Sequence, residues 1–350
     1  MVAEADAFTR ALQLESVGDW HRVSLDGHQG WLLRPPAPPG APPLPPTVEP
    51  PRPLPGRPPD PERLAAVGRL LGVSAPTGSL GPYPLYTDDA DSELVWFLDR
   101  VAAGVEPAYR RRYGSPPLGA AAEVVALFRS EERYRAFQAL DGQLHDLPAA
   151  GHAGYGLIAL YSGARRRDEV AETLVHEIAH LLNRRSLGPA LPPWIDEGIA
   201  VDLAASAIGP AGEIDPDRLG GAIERSETRI DYYGAQAAVR RLAGALAEDS
   251  LLPLPKLFAL DWEAFVRTDR LELHYAAAGL FWRYLLDGED GALAPRARAF
   301  LAAVAQGGPV DPYALQAGLG STWADLEDGF AAWVTAHAEG VDDPRTWLHR

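Results

Sequence analysis

The chain has no cysteine among its 350 residues. Disulfides and thiolate metal sites are therefore excluded, and histidine, aspartate and glutamate are the only strong metal ligands left. No run of apolar residues approaches 18, so no segment reads as a membrane span. Positive charge is scarce: 32 Lys and Arg against 48 Asp and Glu leave a net charge of -16, which argues against a nucleic-acid partner because polyanions are repelled. The short runs Arg110-Arg111-Arg112 and Arg165-Arg166-Arg167 are too small to reverse this and read as solvated helix ends. Residues 1–14 lack a secretory signal's apolar core and are acidic at Glu4 and Asp6. The expectation is an extracytoplasmic protein if the true start lies upstream of Met1. What is present is an ordinary core-forming fraction, 47% hydrophobic, in a chain long enough for one large domain and a small accessory module.

Organisation follows from punctuation. Residues 18–32 read as a β-hairpin, with Trp20, Val23 and Leu25 on one arm, an Asp26-Gly27 turn, and Gly30-Trp31-Leu32 on the return. Residues 35–61 are more than half proline and predict an extended polyproline II spacer that does not pack into a core. Helical periodicity begins at 62–71. A short strand is expected at 83–87, a long amphipathic helix at 91–113 with Gly114 as its stop, a buried strand at 122–128, a helix at 131–140 and a strand at 154–161. After residue 205 the pattern is almost wholly helical: 217–227, 232–247, 254–260, 271–286, 295–306, 312–319 and 322–338. The order predicts an α+β fold, a small mixed sheet followed by a mainly helical C-terminal part, in a domain of residues 62–345 whose halves divide at 183/184.

Within this frame one apolar helix stands out, because it carries His176-Glu177-Ile178-Ala179-His180 among Leu174, Val175, Leu181 and Leu182. Histidines four residues apart share one helix face and can grip one metal ion, while a burying helix does not keep two imidazoles and a carboxylate without cause. Neutral imidazoles at His176 and His180 would bind zinc, with Glu177 polarising a water for attack on a carbonyl. Seventeen residues after His180 comes Glu197, within Pro193-Trp194-Ile195-Asp196-Glu197-Gly198-Ile199-Ala200, a proline-started helix whose carboxylate can supply a third ligand.

These two stretches together resemble the gluzincin metallopeptidases, and within them the peptidase MA-like family. The resemblance implies a zincin, thermolysin-like fold, a Zn2+ cofactor held by His176, His180 and Glu197, Glu177 as general base, and a peptide or protein substrate. It places an extended peptide along a strand before the metal helix, here Gly154, Tyr155, Gly156 and Leu157. It suggests Tyr275, opening a small-residue helix, as an oxyanion donor, with His274 as the alternative. Many gluzincins carry an acid four residues after the third ligand, where Val201 stands here, so Asp196 and Asp202 become the candidates for orienting a histidine. The Gly-x-Met-Glu-Asn motif of gluzincin aminopeptidases is missing, and the only methionine is Met1, which favours an endopeptidase. Residues 1–34 resemble part of a bacterial SH3-like domain and imply a cell-wall or envelope component as partner. A second function class follows from that segment: a non-catalytic envelope-binding scaffold with an idle peptidase fold.

Overall fold

The computed structural model describes residues 12–17, 20–25, 28–33, 54–141, 149–220, 235–266 and 268–341. Near the start, β1 (Leu12–Val17), β2 (Trp20–Leu25) and β3 (His28–Leu33) form an antiparallel meander, with Trp20 opposite Leu33 and Leu25 opposite His28. The Asp26-Gly27 turn and most of the proline-rich stretch lie outside the described residues.

The proline-rich segment ends earlier than its composition predicts. From Leu54 the chain runs along the body. Leu54 N–H donates to Arg185 O at 2.8 Å, Arg57 N–H to Glu123 Oε1 at 2.9 Å and Asp60 N–H to Tyr155 O at 3.1 Å. Asp60 then caps α1 (Pro61–Leu71) by accepting from the amides of Glu62 and Arg63. Prolines that cannot pair as a central strand still leave intervening residues free to donate outward, and these three do.

A five-stranded mixed sheet follows, in the order β4-β5-β6-β8-β7. Its members are β4 (Gly78–Leu80), β5 (Tyr83–Thr87), β6 (Val124–Phe128), β7 (Gly151–Gly154) and β8 (Leu157–Tyr161). β5, β6 and β8 are parallel, and the two edge strands run antiparallel to their neighbours. β6 and β8 are apolar throughout because both faces are covered. Val125, Leu127, Ile158 and Leu160 face the main core, which includes α2 (Ser92–Tyr113) and α4 (Arg167–Ser186). Val124, Ala126, Phe128, Leu157 and Ala159 face a second cluster with α1 and with α3 (Glu131–Asp141).

Two sequence expectations are corrected here. The strand expected at 154–161 is the hairpin β7–β8, turned by Tyr155 and Gly156 at φ 51° and 76°. A tyrosine in the left-handed region is an uncommon turn residue, so local chemistry did not announce the break. The helix expected at 217–227 begins instead inside β10 (Ile214–Leu219), which pairs with β9 (Ser206–Ile208); residues 221–227 lie outside the described residues. Pro216 in β10 turns its carbonyl to Arg112 and Arg283, at 2.9 and 2.7 Å, a tertiary tie that helical periodicity does not record.

The C-terminal part is mainly helical. It contains α5 (Pro193–Ala204), α6 (Ala235–Ala247), α7 (Leu254–Phe258), α8 (Trp262–Val266), α9 (Leu271–Asp287), α10 (Ala294–Ala305), α11 (Pro312–Leu319) and α12 (Trp323–Val341). α5 and α9 cross closely through glycine. A Cβ at Gly198 would stand 2.6 Å from Trp282 Cδ1, and one at Gly279 would stand 2.3 Å from Val201 Cγ1. The Trp194 and Trp282 rings stack beside this crossing, 5.8 Å apart and within 5° of parallel.

Arg112 also departs from expectation. It is buried rather than solvated, and its guanidinium forms a fork with Asp202 at 2.6 and 3.0 Å. Arg283 Nε lies 2.6 Å from the same carboxylate, Tyr113 donates to it at 2.6 Å, and Asp287 completes the cluster 3.0 Å from Arg112. These ties join α2, α5 and α9, elements from both halves of the chain. No helix among the described residues is long and apolar enough to cross a membrane.

Candidate metal centre

α4 is buried from Val170 to Asn183 apart from Glu172, and its first turn carries Asp168 and Glu169, whose charge suits the positive end of the helix dipole. Two turns in, His176 and His180 project from one face. α5 packs against α4 and brings Glu197 to them.

Three atoms then form a nearly equilateral triangle. His176 Nε2 and His180 Nε2 are 3.0 Å apart, and Glu197 Oε2 lies 3.3 Å from the first and 3.4 Å from the second. All three side chains are buried. A tetrahedral ion with bonds of about 2.0–2.1 Å holds its ligand atoms about 3.3–3.4 Å apart, so the triangle has the size that zinc requires. Its chemistry fits as well. His180 Nδ1 lies 3.0 Å from Asp196 Oδ1, so a neutral ring with its proton on Nδ1 would turn the Nε2 lone pair inward. Among the described residues Glu197 Oε2 receives no hydrogen bond of good geometry. Electron-rich atoms converging at this spacing in a buried place repel one another unless a cation sits among them. His176, His180 and Glu197 thus form a buried group that can hold a metal ion.

The electrostatics agree. Burial lowers the proton affinity of His176. Burial also acts on His180, but the negative charges of Asp196 and Glu197 outweigh it and hold that imidazole well above its ordinary value. Glu197 is held well below the usual carboxylate range: burial opposes ionisation, and the attraction of His180 and the close approach of His176 overcome it. The two shifts are those of oppositely charged neighbours that stabilise one another.

Glu177, between the two histidines, is also buried. Burial pushes its carboxyl up to about 8, and neighbouring Glu197 adds to the rise against the opposing pull of His180 and Arg184. A cation held by the triangle would lower that value towards neutrality, the range in which a carboxylate exchanges protons efficiently. Glu177 lies under the edge strand: a Cβ placed on Gly151 would stand 3.2 Å from Glu177 Cγ and 2.7 Å from Thr173 Cγ2. The glycine admits this approach.

The remaining candidates divide. Tyr275, in the first turn of α9, lays its ring nearly parallel to that of His176, with centroids 6.4 Å apart and 16° between planes. His274 is buried, with Nδ1 3.0 Å from Phe265 O, and packs against the Phe265 ring. Asp196 meets His180, as given above. Asp202 does not: it is occupied by Arg112, Arg283 and Tyr113, because a rotation of about 100° per residue carries position 202 from the metal face of α5 to the α2 and α9 side.

The stretch from Gly154 to Leu157 spans the end of the edge strand, a turn and the start of an interior strand: Gly154 closes the hairpin, Tyr155 and Gly156 form its turn, and Leu157 belongs to β8. The segment at 54–60 covers the turn. The Arg63 guanidinium lies 3.6 Å above the Tyr155 ring, and a Cβ on Gly156 would stand 2.4 Å from Arg57 O. The edge beside α4 is β7.

Asn183 has no counterpart in the sequence reading. Its amide donates to Asp196 O at 3.0 Å and to Asp196 Oδ1 at 2.9 Å, and its own oxygen accepts from Tyr109 at 2.9 Å. A buried chain therefore runs from α2 through Asn183 to the carboxylate that orients His180. Its position three residues after His180 was the available signal, since that spacing returns to the same side of the helix.

No known family model matches the chain, and no curated protein is significantly similar to it.

Proposed function

We propose that this chain is a zinc-dependent metallopeptidase of the gluzincin type, acting within extended peptide segments. The observation that carries the proposal is the buried triangle of His176, His180 and Glu197 with edges of 3.0–3.4 Å, with buried Glu177 next to His176 on the same helix. The resemblance to the peptidase MA-like family supplies the reaction class. The sheet supports a zincin reading of the fold: an antiparallel edge strand, β7, stands immediately before the parallel strand that leads into the metal helix.

On this reading His176, His180 and Glu197 hold the ion and Asp196, set by Asn183, keeps His180 in the ligating tautomer. Zinc held there supplies Lewis acidity, lowering the pKa of a water molecule to about 7 and polarising a carbonyl oxygen. Glu177 takes the proton as the water oxygen bonds to the scissile carbon. It then delivers that proton to the amide nitrogen as the carbon–nitrogen bond breaks. The Tyr275 phenol, against His176, is the side chain assigned to donate to the oxyanion. Burial of Glu177 excludes bulk water from this exchange.

The peptide lies along β7. Across a two-residue hairpin the pairs Gly154–Leu157 and His152–Ala159 bond to each other, so the N–H and C=O groups of Gly151 and Ala153 point to the open edge. An incoming strand would bond to those groups. The direct test is hydrolysis of a mixed peptide library by the purified chain with and without a chelator, together with metal analysis. One zinc per chain is expected, with Glu177→Gln keeping the metal and losing hydrolysis. Hydrolysis that survives chelation, or full zinc occupancy in His180→Ala, would refute the proposal.

A further inference from the structure

The chemical stripe on α4 continues past the histidines. Arg184 stands four residues after His180 and seven after Glu177, spacings that keep it on the same side of the helix. Its Nη2 donates to the carbonyl of Ala153 at 3.2 Å. That carbonyl is one of the outward-pointing acceptors of β7, the group an added strand would need.

Two further observations bear on this arginine. Among the described residues no carboxylate lies within ion-pair distance of it, whereas Arg112, Arg165, Arg166 and Arg283 each face one. It is also half-buried, four residues beyond His180 on the same helix. A half-buried guanidinium held by one carbonyl, beside a catalytic carboxylate, keeps most of its donors available.

Geometry sets where along a peptide this cation would act. β7 passes Glu177 at Gly151 and Arg184 at Ala153, a step of two residues or about 6.8 Å. A strand paired with β7, with its reacting carbonyl near Glu177, thus has a residue two or three places away beside Arg184. When the peptide's N–H takes the Ala153 carbonyl, the guanidinium loses that acceptor and needs another. A carboxylate matches its forked donors best.

We infer that Arg184 forms a carboxylate-recognising subsite, selecting peptides that carry a carboxylate two or three residues from the bond cut. The inference rests on the peptide lying along β7 as proposed above. The carboxylate comes from an Asp or Glu side chain or from the free end of the peptide.

The test uses the full chain carrying Glu177→Gln, loaded with zinc, and fluorescent peptides in matched sets. One set compares Glu with Gln at each position, and another compares a free carboxyl end with its amide. Binding by anisotropy should be on the order of 10-fold tighter for the carboxylate member of one set, which identifies the source. Adding Arg184→Gln should abolish the difference and Arg184→Lys should restore part of it, at unchanged zinc content and melting temperature. Equal binding within both sets, no binding by any carboxylate peptide, or a preference that persists in Arg184→Gln would overturn the inference. Hydrolysis of the same peptides by the unsubstituted chain separates the two readings. An Arg184-dependent preference without hydrolysis sinks the peptidase proposal alone, and hydrolysis without the preference sinks this subsite alone.

Discussion

Replacing Asp202 with Asn removes one negative charge from the cluster that joins α2, α5 and α9. Arg112 and Arg283 are each almost wholly buried, and Asp202 meets both at 2.6 Å while also accepting from Tyr113. After the substitution the two guanidinium groups face Asp287, whose side chain is 30% exposed, and the largely solvated Asp217, 4.0 Å from Arg112. One buried cation is then uncompensated, and the new amide presents N–H donors to donors. Breaking a buried pair in this way costs about 3–5 kcal/mol, against a total stability of about 5–15 kcal/mol for a domain. The melting temperature should fall by roughly 5–10 °C. The pH dependence has a definite sign. Burial opposes ionisation of Asp202, but the two arginines outweigh it and hold the group below its ordinary value of 3.8. Its contribution is therefore complete above that value and is lost as pH falls below it, so the variant should lose the acid-induced part of the wild-type unfolding profile. Zinc content should not change, because Asp202 touches no metal-side histidine. Thermal unfolding and metal analysis on one preparation decide the matter: an unchanged melting temperature with reduced zinc would refute the reasoning and return Asp202 to a role in orienting His180.

Asn183→Leu should weaken zinc affinity by about 10- to 100-fold, measured by chelator competition, because Asp196 then loses the amide that holds it against His180. His152, buried on β7 with Nδ1 3.2 Å from the Tyr134 hydroxyl, has its pKa lowered by burial from 6.5 to about 4. The unfolded chain therefore binds the proton first, and stability should fall by about 2 kcal/mol between pH 7.5 and 5. His152→Phe should flatten that part of the urea-unfolding profile. Deleting residues 1–53 should leave melting temperature and zinc unchanged. Deleting 1–60 removes the Asp60 cap and the bonds to Glu123 and Tyr155, and should lower the melting temperature by several degrees with zinc retained.

Much of the local structure is legible in the sequence. The helix expected at 91–113 with Gly114 as its stop is Ser92–Tyr113, and the residues at its two ends act as caps: Asp91 accepts two amides, and Gly114 adopts φ 74°. Capping is a contact between near neighbours, so a short window contains all of it. The pairing of His176 with His180 is of the same kind, since helix geometry alone sets imidazoles four residues apart on one face. Continuous apolarity at Val124–Phe128 likewise declares a strand covered on both sides.

Partner choice was not legible. Asp196 and Asp202 are both acids on one helix near a candidate ligand, yet the first meets His180 and the second meets Arg112, ninety residues earlier in the chain. The edge strand of the sheet is β7, which ends at Gly154, and Leu157 already lies in the interior strand, because a tyrosine takes a turn conformation between them and the 54–60 segment covers that turn. Sequence specifies which side chains an element can present and on which face, through its repeat of 3.6 or 2 residues. Whether a presented carboxylate finds a histidine, an arginine or solvent depends on how elements far apart in the chain are rotated and shifted against one another. In this chain that setting came from features with no local signature, namely the glycine crossing of α5 on α9 and the ion cluster that fixes α2 beside them.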